Sequence, residues 1–164
     1  MTSDQNSQGE GSLDHRFVLI VDDRSAARQL LIALVGPIAD GITVTAEGFA
    51  EPRKAMERAI EKTPDLIITD YQMPGMNGIE FTEHLRSIPE LIDTPIIMIT
   101  MSEDREVRTR ALNAGVSDFL TRPIDPIDCK TRCRNLLLHR CAQKYVPMPD
   151  LASMREEVRV AFAN

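Results

Sequence analysis

Short apolar runs alternate with helical stretches along most of the chain, and this rhythm is what most constrains its fold. Runs rich in aliphatic and β-branched residues predict five strands, at 17–21, 42–47, 65–70, 95–100 and 117–121. Apolar residues spaced three and four apart predict five helices, at 25–35, 50–62, 78–88, 103–115 and 126–145. Apolar strands that alternate with helices form a parallel sheet covered on both sides. The sequence therefore predicts an α/β fold, a doubly wound parallel sheet of five strands with five flanking helices.

Polar residues stand where these strands end. They are Asp22 and Asp23 after the first strand, Asp70 at the end of the third, Thr100 at the end of the fourth and Arg122 after the fifth. In a doubly wound fold, ligands bind outside the carboxyl ends of the strands, near the point where the winding direction changes. We therefore expect these side chains to lie together at one rim of the sheet.

The chemistry of this set favours a cation and a phosphoryl group. Three neighbouring carboxylates repel one another, and oxygen ligands of this kind suit Mg²⁺. Arg122 and Thr100 supply a positive charge and a hydroxyl donor that would stabilise a phosphoryl group. Taken singly, each residue has a plainer explanation: Asp22 and Asp23 as helix caps, Asp70 as a turn residue, Arg122 as a surface charge. Their common position at strand ends favours a site.

The chain resembles the receiver domain of two-component response regulators in four stretches, VLIVDD, LIITDYQMPGMNGIEF, PIIMIT and AGVSDFLTRPID. The resemblance covers about residues 16–140. It implies a flavodoxin-like sheet with the strand order 2-1-3-4-5, which the apolar pattern alone does not provide. It also implies a signalling switch that catalyses only its own phosphorylation and dephosphorylation, rather than a metabolic enzyme.

The same resemblance assigns roles to residues. It implies that Asp70 accepts a phosphoryl group from a sensor histidine kinase or a phosphotransfer protein. It implies that Mg²⁺ is bound by Asp23, by Asp70, by the backbone carbonyl of Gln72 and, through a water molecule, by Asp22. It implies that Thr100 hydrogen-bonds the phosphoryl group.

A conformational switch is a further implication of the resemblance. Thr100 would move inward when Asp70 is modified, and Phe119 matches the aromatic residue that changes rotamer with it. The changed surface would be the face of the fourth helix, fifth strand and fifth helix, which would bind a downstream effector domain or protein. A homodimer through that face or through the C-terminal helix is also expected.

Arg122 departs from the family, which usually has lysine at this position. Arginine keeps the charge but is planar and bidentate, so its reach differs. A phosphorylation-independent, receiver-like scaffold is therefore the alternative. The stretches LTRPID and CRNLLLHR also resemble receivers that precede HD-GYP cyclic-di-GMP phosphodiesterase domains. An HD-GYP effector is accordingly an expected partner, and the chain would be an excised receiver or a relative without that effector.

Charge and composition limit the other partners. The net charge of −6 predicts no direct binding of nucleic acid, because phosphate contacts need clustered cations. No apolar stretch reaches the ~20 residues needed to span a bilayer, and the N-terminus lacks the features of a signal peptide. We therefore expect a cytoplasmic protein with no membrane contact. Cys129 and Cys133, with His139 nearby, predict half-buried reduced thiols, with zinc binding as the alternative.

The predicted domain organisation has three parts. Residues 1–15 are a disordered polar lead, 16–145 are the receiver domain, and 146–164 are a linker and a short amphipathic helix. Three possibilities for this segment stay open. It packs back on its own domain, it links the domain to a second copy or an effector, or it is disordered.

Two enzyme-like alternatives share features with this pattern. A flavin-binding flavodoxin would have the same fold, but Asp22 and Asp23 would repel its phosphate, and the chain has no Trp to stack on a flavin. A phosphatase of the haloacid dehalogenase type would need a second acid two residues after its nucleophile, where Gln72 follows Asp70. A yellow protein would favour the first alternative, and turnover of a phosphomonoester the second.

Overall fold

The computed structural model of the protein describes residues 14–38, 42–101 and 105–145. Five strands alternate with five helices within these residues: β1 (Asp14–Val21), α1 (Ser25–Val35), β2 (Ile42–Phe49), α2 (Pro52–Glu61), β3 (Leu66–Asp70), α3 (Gly78–Arg86), β4 (Ile96–Thr100), α4 (Arg105–Ala114), β5 (Asp118–Thr121) and α5 (Pro126–Tyr145). A short 3₁₀ helix, Pro89–Leu91, follows α3. Every predicted strand and helix is therefore present.

The sheet is parallel throughout and has the strand order β2-β1-β3-β4-β5. This confirms the flavodoxin-like order that the family resemblance implies. The winding direction changes between β1 and β3, so the carboxyl ends of these two strands are adjacent. The rim where Val21 and Asp70 end their strands is the place where such folds bind ligands.

Helices cover both faces of the sheet. On one face, side chains of α1 and α5 pack on β1, β3 and β4, and Leu31, Ile68 and Leu137 belong to this part of the core. On the other face, α2, α3 and α4 cover the alternate strand residues, and Ile67 and Phe81 belong to that part. The strands β3 and β4 are buried at every position, as a strand between two helical layers must be.

The start of β1 corrects one predicted boundary. The strand begins at Asp14, so Asp14 and His15 belong to the sheet rather than to a disordered lead, and they pair with Ile42 and Thr43 of β2. The rest of the predicted lead and the predicted linker and amphipathic helix lie outside the described residues. Among the described residues, no helix combines the length and apolar character needed to cross a bilayer.

Two cysteines of α5, Cys129 and Cys133, belong to the core. Cys129 and Cys133 are free thiols with no exposed surface, packed against the sheet rather than half-buried. A hydrogen bond with Cys129, together with burial, raises the pKa of the Cys133 thiol. His139 is exposed and lines a different surface hollow. The structure thus accounts for both thiols as packing residues.

Candidate functional site

Three carboxylates meet at the carboxyl ends of β1 and β3. Asp22, Asp23 and Asp70 each offer an oxygen, and these oxygens lie within 4.8 Å of one another. Asp22 is fully buried, Asp70 is 5% exposed and Asp23 is exposed. Because hard cations bind several oxygen ligands at once, this cluster has the composition and spacing of a divalent-cation site.

Arg122 binds the two buried members of the cluster. Its Nη2 donates to Asp22 Oδ2 at 2.5 Å and to Asp70 Oδ1 at 3.2 Å. The side chain is only 13% exposed, so Arg122 is not the surface charge that a residue after a strand usually is. Its Nε is buried and has no hydrogen-bond partner, which leaves one donor for a further acceptor.

Arg24 in the β1–α1 connection and Arg28 in the first turn of α1 take part in the site, and the strand-end pattern did not identify them. Arg24 places Nε 3.5 Å from Asp22 Oδ1 and Nη2 3.5 Å from Asp70 Oδ2. Arg28 donates from Nη1 to the carbonyl oxygens of Asp22 and Asp23, at 2.7 and 3.0 Å. Arg24 is the N-cap residue of α1 and has an extended backbone, so no helical spacing in the sequence marks the pair.

The charges of the cluster act on the pKa of Asp70. Burial raises the pKa of the Asp70 carboxyl, and the negative charge of Asp22 raises it further. The neighbouring charges of Arg122 and Arg24 act in the opposite direction but do not cancel the effect. A further cation at this rim would therefore favour the ionised form of Asp70.

An open cavity of about 220 Å³ lies above the cluster. Its lining residues come from the ends of β1, β3 and β4: Asp23, Arg24, Asp70, Tyr71, Gln72, Thr100 and Met101. The structure therefore brings the predicted Gln72 and Thr100 to the same space as Asp23 and Asp70. Arg122 reaches Asp70 from the buried side, beside β5, where its backbone N–H donates to the carbonyl of Thr100 at 3.1 Å.

Phe119 lies in a different environment from the rest of the predicted site. The ring is 7% exposed and packs with Met98, Ala111 and Val116 beneath α4. The guanidinium of Arg108 lies 4.9 Å above the ring centroid. Phe119 thus connects β5 with α4, next to the strand that ends at Thr100.

The turn after β3 is shaped by two glycines for different reasons. Gly75 has φ of 78°, a conformation that glycine adopts readily. Gly78 does not have a positive φ. A Cβ at Gly78 would lie 2.5 Å from the carbonyl oxygen of Asp70, so this position needs glycine for close backbone approach. Asn77 caps α3 with Glu80 in a capping box.

Comparisons with known proteins agree with this geometry. Residues 18–134 match the family model described as the response regulator receiver domain. The chain is 42% identical over 120 residues to the cyclic di-GMP phosphodiesterase response regulator RpfG of Xanthomonas campestris pv. campestris, a match that covers 73% of this chain and 31% of RpfG. It is 30% identical over 123 residues to the phosphate regulon transcriptional regulatory protein PhoB of Escherichia coli, covering 74% of this chain and 52% of PhoB.

Solved structures of response regulators are also similar to this chain. The chemotaxis response regulator CheY4 of Vibrio cholerae is similar with a TM-score of 0.67 and 29% identity, over 74% of this chain and 98% of CheY4. A response regulator from Chloroflexus aurantiacus has a TM-score of 0.70 and 25% identity, over 76% of this chain and 99% of that one. The matched stretch spans less than two thirds of the length of RpfG and of PhoB.

Proposed function

Because the chain belongs to the response regulator receiver domain family of two-component systems, we propose that Asp70 is a phospho-acceptor whose modification depends on Mg²⁺. The observation that carries this proposal is the position of Asp70. It is buried at the end of β3, within 4.8 Å of the oxygens of Asp22 and Asp23, and it opens into the cavity that Thr100 also lines. An isolated structural aspartate would not need two further acids beside it.

The donor set fits a magnesium ion. The three carboxylates are all oxygen ligands, and the pKa of Asp70 is raised by burial and then by the charge of Asp22, effects that a bound cation would oppose. We assign direct contact to Asp23, Asp70 and the backbone carbonyl of Gln72, and contact through water to Asp22. Bound there, the ion would neutralise charge that develops on the transferring group and orient the acceptor.

The transfer itself needs only one nucleophile. An Asp70 carboxylate oxygen forms a bond to phosphorus, and the bond from phosphorus to the donor's histidine nitrogen breaks, with its electron pair staying on the imidazole. The product is an acyl phosphate. Thr100 would donate its hydroxyl to a phosphoryl oxygen, and Arg122 would contact another with the guanidinium that holds Asp70. The donor in this proposal is a sensor histidine kinase or a phosphotransfer protein.

The output would be a change of surface rather than a released product. We assign the switch to Thr100 and to Phe119, which lies between β5 and α4, so that the α4-β5-α5 face alters when Asp70 is modified. The likeness to RpfG supports an HD-GYP cyclic-di-GMP phosphodiesterase as the downstream effector. We also propose that the protein forms a homodimer through the same face and that it is cytoplasmic.

Intact-mass measurement after incubation with acetyl phosphate tests the acceptor. We expect a gain of one phosphoryl group with Mg²⁺ and none without it. Asp70→Asn should abolish the gain, and Asp23→Asn should abolish its dependence on the metal. Asp93→Asn removes the same charge from an exposed position before β4, at the other end of the sheet, and should behave as wild type. Labelling of the Asp70→Asn variant would move the acceptor to another residue.

The scaffold alternative predicts a different result. Arg122 already pairs with both buried carboxylates, so a domain kept only for binding would show neither phosphorylation nor Mg²⁺ binding. Calorimetric titration with Mg²⁺ separates the two cases. Binding of Mg²⁺ without modification by acetyl phosphate would indicate that the site requires its protein donor.

A further inference from the structure

We propose that Arg24 is a second contact for the phosphoryl group, on the side of Asp70 opposite Arg122. This inference rests on the proposed function and adds a residue that the strand-end pattern does not contain. Arg24 would contact phosphoryl oxygens through its guanidinium and would neither give nor take a proton during the transfer.

The first support is that the two guanidiniums take different oxygens of the acceptor. Arg24 Nη2 lies 3.5 Å from Asp70 Oδ2, and Arg122 Nη2 lies 3.2 Å from Oδ1. Whichever oxygen attacks phosphorus therefore has a guanidinium next to it. The other guanidinium keeps its contact with the oxygen that stays a carbonyl.

The second support is access to the cavity. Arg24 lines the 220 Å³ space together with Asp23, Gln72 and Thr100. Its side chain is 48% exposed, whereas that of Arg122 is 13% exposed and is also held by the buried Asp22. A phosphoryl group that enters from solvent would meet Arg24 on the open side, and when Arg24 turns toward it the buried Asp22 keeps its ion pair with Arg122.

The third support is that the backbone of Arg24 is fixed although its side chain is half exposed. The N–H of Arg24 donates to Asp22 Oδ1 at 2.9 Å, and its carbonyl accepts from the N–H of Arg28 at 3.1 Å. Arg28 also holds the carbonyls of Asp22 and Asp23. The Cα of Arg24 is thus placed by the same contacts that place the acids, which limits the entropy lost when the side chain binds.

The charges also require a second cation. An aspartyl phosphate carries roughly two negative charges, as other phosphorylated side chains do. Asp22 and Asp23 bring the total to about four, against which a divalent ion and Arg122 set three positive charges. Arg24 is the arginine that reaches Asp70 from the open side, and its charge balances the site.

Two binding measurements on the full chain test the inference. Mg²⁺ affinity is measured by calorimetry, and the affinity for beryllofluoride, an analogue of the phosphoryl group, is measured by fluorine NMR at saturating Mg²⁺. Arg24→Ala should bind beryllofluoride about fivefold more weakly, the effect of one partly exposed ionic contact. The same variant should bind Mg²⁺ as tightly as wild type or more tightly, because a competing cation is gone.

Two further variants sharpen the result. Arg24→Lys keeps the charge without the planar fork and should lose about twofold in beryllofluoride affinity. Arg134→Ala removes the same charge from an exposed position on α5 and should leave both affinities unchanged.

Three other outcomes would overturn a claim. Unchanged beryllofluoride affinity in Arg24→Ala refutes the contact. A parallel loss of Mg²⁺ and beryllofluoride also refutes it, because it would indicate that Arg24 only supports the loop that carries Asp22 and Asp23. Absence of beryllofluoride binding by wild type in the presence of Mg²⁺ refutes the proposed function, and the inference with it.

Discussion

Removing the positive charge of Arg122 should destabilise the protein when Mg²⁺ is absent. In Arg122→Met, a side chain of similar length leaves Asp22 and Asp70 without the guanidinium that bridges them. Their oxygens lie within 4.8 Å, and at an effective dielectric constant of about 20 two unit charges at this distance repel by about 3 kcal/mol. Arg24 offsets part of this repulsion, but it does so from a half-exposed position.

For Arg122→Met we therefore expect the free energy of unfolding to fall by about 2 kcal/mol at neutral pH when a chelator removes divalent ions. The loss should shrink to under about 1 kcal/mol at saturating Mg²⁺. An ion that binds the folded state stabilises it by an amount that grows with the logarithm of its affinity, and a more negative site binds a cation more tightly. Urea denaturation with and without Mg²⁺ measures both values.

Arg134→Met is the matched control, because it removes the same charge from an exposed position on α5. It should change the free energy of unfolding little in either condition. The reasoning about Arg122 is wrong if Arg122→Met is as stable as wild type in chelator. It is also wrong if the loss is the same with and without Mg²⁺, since the effect would then be one of packing rather than of charge.

Three more predictions concern single residues. Without Mg²⁺, Asp70→Asn should be more stable than wild type at neutral pH, because burial and Asp22 raise the pKa of Asp70 and so disfavour its ionised form in the folded state. The folded protein keeps the Asp70 proton to a higher pH than the unfolded chain does. In urea denaturation, the extra stability of the variant should therefore vanish below the ordinary pKa of aspartate and reach its full size above the raised pKa of folded Asp70. Extra stability that grew in acid would contradict a raised pKa. Gly78→Ala should cost about 2 kcal/mol by the same assay, because its Cβ would meet the Asp70 carbonyl at 2.5 Å, whereas Gly36→Ala, with its nearest atom at 3.7 Å, should cost almost nothing. Phe119→Leu should cost about 1 kcal/mol and leave beryllofluoride binding intact, yet reduce the NMR shift changes along α4 and β5; undiminished changes would remove Phe119 from the switch.

The N-terminal end of β1 shows where prediction from an apolar pattern fails. The first three residues of this strand, Asp14–Arg16, are polar, so the predicted strand starts later. In the structure Arg16 is buried beside Asp65, 3.5 Å from its Oδ1, and Asp65 Oδ2 also accepts the N–H of Phe17 at 2.9 Å. A charged residue can be buried when a partner 49 positions away compensates it. No local pattern contains that partner.

The expectation that ligands bind at the carboxyl ends of the strands located most of the candidate site, because a parallel sheet has all of these ends on one side. It placed Asp23, Asp70 and Thr100 around one cavity without any knowledge of side-chain conformations. It did not find Arg24, whose relevance depends on how a side chain turns back from the start of α1. It also gave no reason for Gly78, because close approach to the Asp70 carbonyl is a property of the folded turn.

Arginine at position 122 has a consequence that follows from its two contacts. A single nitrogen, Nη2, donates to both Asp22 and Asp70. A group that replaces Arg122 as the partner of Asp70 therefore leaves the guanidinium bound to the fully buried Asp22. The ion pair with Asp22 therefore anchors Arg122 while its contact with Asp70 is exchangeable. A guanidinium anchored in this way can remain beside Asp70 before and after modification, which is what a phosphoryl contact at this position needs.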